Sequence, residues 1–347
     1  MQVKQKKNKE IYISVLRIVC CISVVLLHTN GVFWHRPHGR LWISANFLET
    51  FFYFAVPVFF MISGATLLDY RNKYSTSVFL KKRFSKVLFP FLFWSFIAGI
   101  FSAKIYSQQF DWNLLHILDN ILHTRYFSIY WFFLALFAVY LSMPLLSAVE
   151  NKIEVYSYTA VIGIICIGIL PLVCSLLGVD TWAIMPPVAE KYIFYVLLGY
   201  ILEKKTIEKK YRICIYVLGI FGWGLHFFGT LYMSAGTSEI NSIFKGYQNI
   251  PAIMHSISIF VLLKNINYRK IFRKQYELFE KIVNKIASLT FGVYLIHNFF
   301  IIYLTTKFQI NINTLSWRLG GGMIIFICCV LITWIIQKIP CIKWILP

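Results

Sequence analysis

The sequence predicts an all-α, polytopic membrane protein of about ten transmembrane helices with both termini in the cytoplasm. Three observations carry that expectation. Of 347 residues, 59% are hydrophobic and only 14% charged, and the mean hydropathy is +0.67. Apolar stretches of about 20 residues, enough to cross about 30 Å of hydrocarbon, recur from end to end. Lys and Arg, finally, are shared unequally between alternate connections. No soluble domain is left over, so a single membrane domain over residues 1–347 is expected.

The first stretch, 11–33, is too long for the apolar core of a secretory signal, holds Arg17 and lacks a small-residue cleavage site after it. It reads as a permanent span. At 3.6 residues per turn, the eleven steps from Arg17 to His28 overshoot three turns by only about 20°. Both side chains then share one face, about 16 Å apart along the axis. A charged group in hydrocarbon costs roughly 2.5–3.5 kcal/mol on insertion scales, which makes an Arg in line with a His a functional candidate. The alternative is that Arg17 snorkels to the headgroups and His28 packs near the outer surface.

The second stretch, 47–68, is interrupted by Pro57. Carbonyls freed at such a break need protein or water partners, so it faces other helices or a cavity, or else is a simple kink. Glu49 is the one carboxylate placed even marginally inside a span. It is a candidate general base or partner of His28, or a carboxylate at headgroup level. The connection that follows ends in FLKKRFSKVLFPF, where Lys81, Lys82, Arg83 and Lys86 crowd the cytoplasmic mouth of the third span, 87–105. Each one singly is explained as a positive-inside charge. Together with a helix N-terminus they would suit the phosphates of a cytosolic cofactor.

The fourth span, 128–147, opens with Tyr130 and Trp131 on the outer side. Spans at 157–178, 188–202, 212–233 and 249–266 follow, the short 188–202 being the weakest. The ninth, 286–306, holds SLTFGVYLIHNFF, with Tyr294 and His297 three residues apart on one face. Near mid-membrane His297 must be neutral or paired, as a functional group or as a core hydrogen-bonding residue. It ranks above the loop histidines His35, His38, His116 and His123. The tenth span is 318–338.

The N-terminal tail, the even-numbered connections and the C-terminal end carry 25 of the 34 Lys and Arg, the odd-numbered connections 8, and Arg17 is the remaining one. That bias puts the tail and the even connections in the cytoplasm. It also explains most of the +20 net charge by topology, so no nucleic-acid partner is called for. Eight cysteines show no CxxC and no ligand spacing with His; they read as small buried hydrophobes, and no metal site is expected.

Taken in order, Arg-x10-His in the first span, VPVFFMISG in the second, FLKKRFSKVLFP before the third, WFFLALFAVYLSMPLL in the fourth and SLTFGVYLIH in the ninth resemble the acyltransferase-3 family of bacterial membrane O-acyltransferases. The resemblance covers essentially the whole chain. It implies a multi-pass protein of the bacterial cytoplasmic membrane that takes acyl groups from cytosolic acyl-CoA, usually acetyl-CoA. The acceptor implied is a sugar hydroxyl of an envelope or capsular glycan or of a lipid-linked saccharide. Arg17 and His28 then correspond to the family's signature pair, and Arg83 and Lys86 fall in its basic, acyl-CoA-linked motif. Two departures stand out. Many members carry a His two residues before the span-four Trp, where this chain has Ile129, leaving that role absent or with Tyr130. Larger relatives carry an extracytoplasmic esterase-like domain; none follows here before Pro347, so the membrane domain is expected to deliver the acyl group itself or to a partner envelope enzyme or second copy.

The chemistry is consistent with that assignment on its own terms. Acyl transfer needs a base for a hydroxyl and stabilisation of an oxyanion. A desolvated imidazole favours its neutral, accepting form, and a permanently charged guanidinium holds a phosphate, a carboxylate or the oxyanion. A transporter or flippase of acylated or lipid-linked sugars is the competing class. Inverted repeats or carboxylate relays would mark it, and beyond Glu49 the sequence has neither.

Overall fold

The computed structural model describes residues 2–35, 39–179, 191–237 and 239–347, with backbone alone over 2–10. Among these residues the protein is all-helical. Its helices are α1 (Gln2–Thr29), α2 (Gly39–Phe52), α3 (Ala55–Leu67), α4 (Thr76–Ile105), α5 (Leu114–Leu122), α6 (Trp131–Ser147) and α7 (Lys152–Gly163). They continue as α8 (Leu170–Leu177), α9 (Lys191–Lys204), α10 (Lys209–Met233), α11 (Ile250–Asn265), α12 (Tyr268–Phe272), α13 (Tyr276–Lys307) and α14 (Gly322–Gln337). A π-helical turn at Ile164–Ile169 joins α7 to α8, and another at Ser316–Gly321 leads into α14.

Among the described residues, eight helical segments are long and apolar enough to cross a membrane, so the protein is a polytopic, helical membrane protein. Two of the ten expected spans fall below that length: α9 has 14 residues and α11 has 16. The expected start of the sixth span, 188–190, lies outside the described residues. The structure also differs from the sequence reading at three ends. The tail before the first span is helical from Gln2, the basic stretch before the third span is helical from Thr76, and the ninth helix begins at Tyr276. Each extension carries charged residues, and these ended the hydrophobic signal used to delimit the span although the helix runs on through them.

The chain divides into two compact units, Met1–Leu68 with Val149–Ser288, and Asp69–Ala148 with Leu289–Pro347. In the first unit, α1 packs on α2, α3 and α11, α3 on α9, and α10 on α11 and α2. Small residues allow the tightest approach. A Cβ on Gly64 of α3 would stand 1.8 Å from the Val196 carbonyl oxygen, and one on Gly199 of α9 would stand 1.9 Å from that of Met61. Between lipid-embedded helices, such backbone contact replaces a hydrophobic drive that lipid does not supply. The C-terminal end of α9 is closed by Lys264 of α11, whose Nζ donates to the carbonyls of Leu202, Glu203 and Lys205. A lysine there satisfies orphan carbonyls and complements the helix dipole.

The second expected span is two helices, α2 and α3, with Tyr53 and Phe54 between them. Pro57 lies four residues beyond Tyr53, in the first turn of α3, where a missing N–H forfeits no intrahelical bond. The Phe51 carbonyl, just before the break, accepts from Nε2–H of His255 on α11 at 3.1 Å. The break is therefore satisfied by a neighbouring helix rather than being a bare kink.

In the second unit, α4 packs on α6, and Trp94 Nε1 donates to the Ile345 carbonyl at 2.8 Å. The connection after α4, expected as loop, contains α5. Asn113 caps it by accepting from the Leu115 and His116 amides. Its Ile117 and Ile121 are buried while Leu114, Leu115, Leu118 and Leu122 face outward.

Candidate functional site

The expected site residues fall in both units. Arg17, His28 and Glu49 belong to the first; Lys82, Arg83, Lys86, Tyr130, Trp131, Tyr294 and His297 belong to the second.

Arg17 and His28 sit on one uninterrupted helix, α1, inside its apolar segment Ile11–Thr29, and both are partly buried. No break disturbs the register between them, so the eleven-residue spacing keeps them on one face. Around Arg17, the same helix is tied to its unit by polar side chains. Tyr12 donates to Glu203, and Ser14 Oγ donates to Asn284 Oδ1 at 2.7 Å. His28 occupies the last turn, followed by a 3-10 turn at Gly31–His35.

Glu49 lies on α2. It is buried, and Lys245 Nζ donates to its Oε1 at 2.6 Å. Lys245 comes from the connection between α10 and α11. Its ammonium lies 4.9 Å from the ring centre of Phe33, 4.8 Å from Trp34 and 4.0 Å from Tyr53. Burial pushes this ammonium below its ordinary pKa, and the Glu49 carboxylate works against that shift. The neighbouring Tyr247, stacked on Tyr53 at 4.3 Å, has its phenol pushed up, first by burial and then by Glu49. Desolvation penalises whichever charged form is left unpaired, which is why both members of the pair are needed.

In the second unit, Lys86 follows Arg83 by three residues and Lys82 by four within α4, so it shares a face with each of these two adjacent residues. The three do not flank a helix N-terminus as expected. That end lies at Ser75, whose side chain already accepts from the Val78 amide. Lys82 stands over the Tyr74 ring at 4.4 Å and Arg83 over Phe79 at 5.8 Å. The Nε of Arg83 is buried without a hydrogen-bond partner among the described residues. An anion-accepting donor is therefore present, supplied by the guanidinium rather than by helix amides.

Tyr130 and Tyr294 are committed to a reciprocal tie. Tyr130 Oη donates to the Leu295 carbonyl at 2.7 Å and Tyr294 Oη to the Ile129 carbonyl at 2.5 Å. Trp131, partly buried, begins α6 beside them. His297 is fully buried and 5.6 Å from Tyr294, ring centre to ring centre. Its Nδ1 donates to the carbonyls of Val293 and Tyr294 in its own helix, at 3.1 and 2.8 Å. In the neutral ring that leaves Nε2 as the accepting nitrogen. Among the loop histidines, His116 pairs with Asp111 at 2.7 Å, and His38 lies outside the described residues.

Sequence reasoning passed over Lys245, His226 and His255, all three buried. A single Lys in a loop reads as a topology charge, and a His in an apolar helix reads as core. For the two histidines the signal was the rarity of His inside apolar segments; Lys245, in a connection, gave none. No curated protein and no solved structure matches the chain significantly. A family model described as an acyltransferase domain matches residues 10–334, nearly the whole length, and the chain accordingly belongs to the acyltransferase-3 family of membrane acyltransferases.

Proposed function

We propose that the protein transfers an acyl group, by preference acetyl, from cytosolic acyl-CoA to a sugar hydroxyl of an envelope or capsular glycan or its lipid-linked precursor. The observation that carries this reading is the pair Arg17 and His28 on one unbroken intramembrane helix of a chain that matches the family over residues 10–334. In this reading the neutral imidazole of His28 takes the proton of the attacking hydroxyl. The hydroxyl oxygen forms the new ester bond to the acyl carbon, the thioester C–S bond breaks, and the departing CoA sulfur is protonated. Arg17 holds negative charge on the donor or on the tetrahedral oxyanion through its planar fork. Lys82, Arg83 and Lys86 bind CoA phosphates, a role supported by the unpaired, buried Nε of Arg83. With the N-terminus in the cytoplasm, Arg17 lies toward the donor's side and His28 toward the acceptor's.

The test is NMR of surface glycans from a strain lacking the gene. Loss of O-acetyl signals, restored by the wild-type gene and not by a His28→Ala copy, is the expected result. An unchanged O-acyl pattern in the deletion strain would sink the reading.

A further inference from the structure

The second unit holds a helix too short to cross anything. α5 has nine residues, about 14 Å at 1.5 Å per residue, against about 30 Å of hydrocarbon. The chain reverses on either side of it, through positive φ at Ser107 and at Thr124. Both flanks return to one place on α4. A Cβ added to Gly99 would stand 2.9 Å from the Phe110 ring and 2.9 Å from that of Tyr126. The rings of Phe110 and Trp112 also meet Phe96 of α4, at 5.9 and 6.5 Å between ring centres. The segment thus leaves and rejoins α4 at one depth and lies beside the last turns of that helix, not beyond them. Over its 30 residues α4 runs about 45 Å, the width of the hydrocarbon with both headgroup layers. Gly99 precedes the end of α4, Ile105, by about 9 Å, which sets it where hydrocarbon gives way to headgroups.

At about 100° per residue, the side chains of α5 sort into three arcs. Leu114, Leu115, Leu118 and Leu122 share one arc and are exposed, Leu115 by 74%. Ile117 and Ile121 adjoin them and are buried. His116, Asp119, Asn120 and His123 fill the opposite arc. Charge there is paired within the segment: His116 with Asp111 at 2.7 Å, His123 with Asp119 at 2.9 Å, and Arg125 with the same Asp119. Trp112, 71% exposed, stands just ahead of the leucines. Four leucines together on a face open to water are uncommon. At the depth of Gly99 the neighbour is lipid, whose acyl chains take leucines while a polar arc stays with headgroups and water, and Trp favours that same level. With one Arg against two Asp, residues 107–126 carry no excess of positive charge to draw anionic headgroups, so the fit is to acyl chains.

We propose that α5 is an interfacial helix, seated by Leu114, Leu115, Leu118, Leu122 and Trp112 in the lipid leaflet at the C-terminal end of α4, with His116, Asp119 and His123 toward water. With the N-terminus in the cytoplasm, this is the outer leaflet. The seat stands on the second unit's geometry and does not depend on acyl transfer. It holds the approach to α6 on the membrane. Asn120 Nδ2 donates to Tyr126 Oη at 3.4 Å, and the next residue, Phe127, lies 5.6 Å from Tyr130, ring centre to ring centre.

The test uses full-length protein with its eight native cysteines replaced, in phosphatidylcholine nanodiscs. Leu115→Cys, Leu118→Cys and Leu122→Cys are compared with His116→Cys and His123→Cys, each carrying a nitroxide label. All five positions are exposed, so no label displaces the core. Oxygen, which concentrates in lipid, and a nickel chelate, which stays in water, are then compared as relaxants of the label. The expected result is collision mainly with oxygen at the three leucine positions and mainly with nickel at the two histidine positions. Collision mainly with nickel at all five would put the leucine face in water and overturn the seat. Little collision with either reagent at the leucines would mean that protein covers them, which also overturns it. Spin–spin broadening that disappears on dilution with unlabelled protein would then identify the cover as a second copy of this chain.

Discussion

His28→Ala removes the only imidazole of α1's apolar segment. Loss of a general base is expected to slow acyl transfer by about 10²–10⁴-fold, measured at matched amounts of membrane-inserted protein; substantial residual activity would take the base away from His28. Arg17→Lys separates two roles of the guanidinium. Both side chains reach headgroups, so a snorkelling Arg17 is replaced by Lys without loss. An Arg17 that grips its target through a planar fork is not, and the Lys variant is expected to fail alongside Arg17→Ala. On the donor side, Arg83→Gln with Lys86→Gln deletes two charged donors on one face of α4. At about 1.5–3 kcal/mol for each hydrogen bond to a charged group, acetyl-CoA Kd should rise at least about tenfold. Unchanged affinity in titration calorimetry would leave these residues as topology charges. Residues such as Arg17 and His28 were legible because their spacing lies within one helix. The Glu49–Lys245 pair was not, because its partners stand 196 positions apart and no local pattern joins them.

At the scale of the helix, apolar stretches marked where spans lie, and local chemistry decided how they end and meet. The α2–α3 break was readable in Pro57, but its place was not. It forms ahead of the proline, where His255 is available to the Phe51 carbonyl. The basic stretch at 79–86 was read as loop because charge ended the hydrophobic signal, although Lys and Arg are good helix formers and Ser75 caps the helix well before them. The nine-residue α5 was missed because, although six of its residues are Leu or Ile, it is too short to span. The tight crossing of α3 and α9 gives a prediction of its own. Gly199→Ala puts a methyl group 1.9 Å from the Met61 carbonyl oxygen, and rigid backbone cannot move aside as a side-chain tip can. Such overpacking costs about 1–3 kcal/mol, so the Tm of the detergent-purified protein should fall. Gly224→Ala, with nothing within 4 Å of the new Cβ in α10, should leave Tm unchanged or raise it. Equal Tm values for the two variants would show that the α3–α9 contact is looser than its geometry.

For the whole molecule, charge bias supplies an orientation that packing alone does not, whereas the division into two units made of interleaved chain segments arises from long-range pairing that no charge count registers. The orientation is testable across α4. This helix has 30 residues, about 45 Å at 1.5 Å per residue, enough to cross a bilayer with its headgroup layers. Lys73, before it, and Gln109, after it, are both exposed, so a cysteine at either place is open to reagent. In a background with the eight native cysteines replaced, Gln109→Cys should react with a membrane-impermeant maleimide in intact cells. Lys73→Cys should react only after permeabilisation, because its side of α4 carries the crowd of Lys and Arg that the positive-inside rule holds in the cytoplasm. The reverse pattern would turn the protein over. It would also move Arg83 and Lys86 away from cytosolic acyl-CoA and place Arg17, rather than His28, toward the acceptor. Reaction of both cysteines from the same side would show that α4 does not span at all, and the donor-side assignment of its basic face would then lose its topological support.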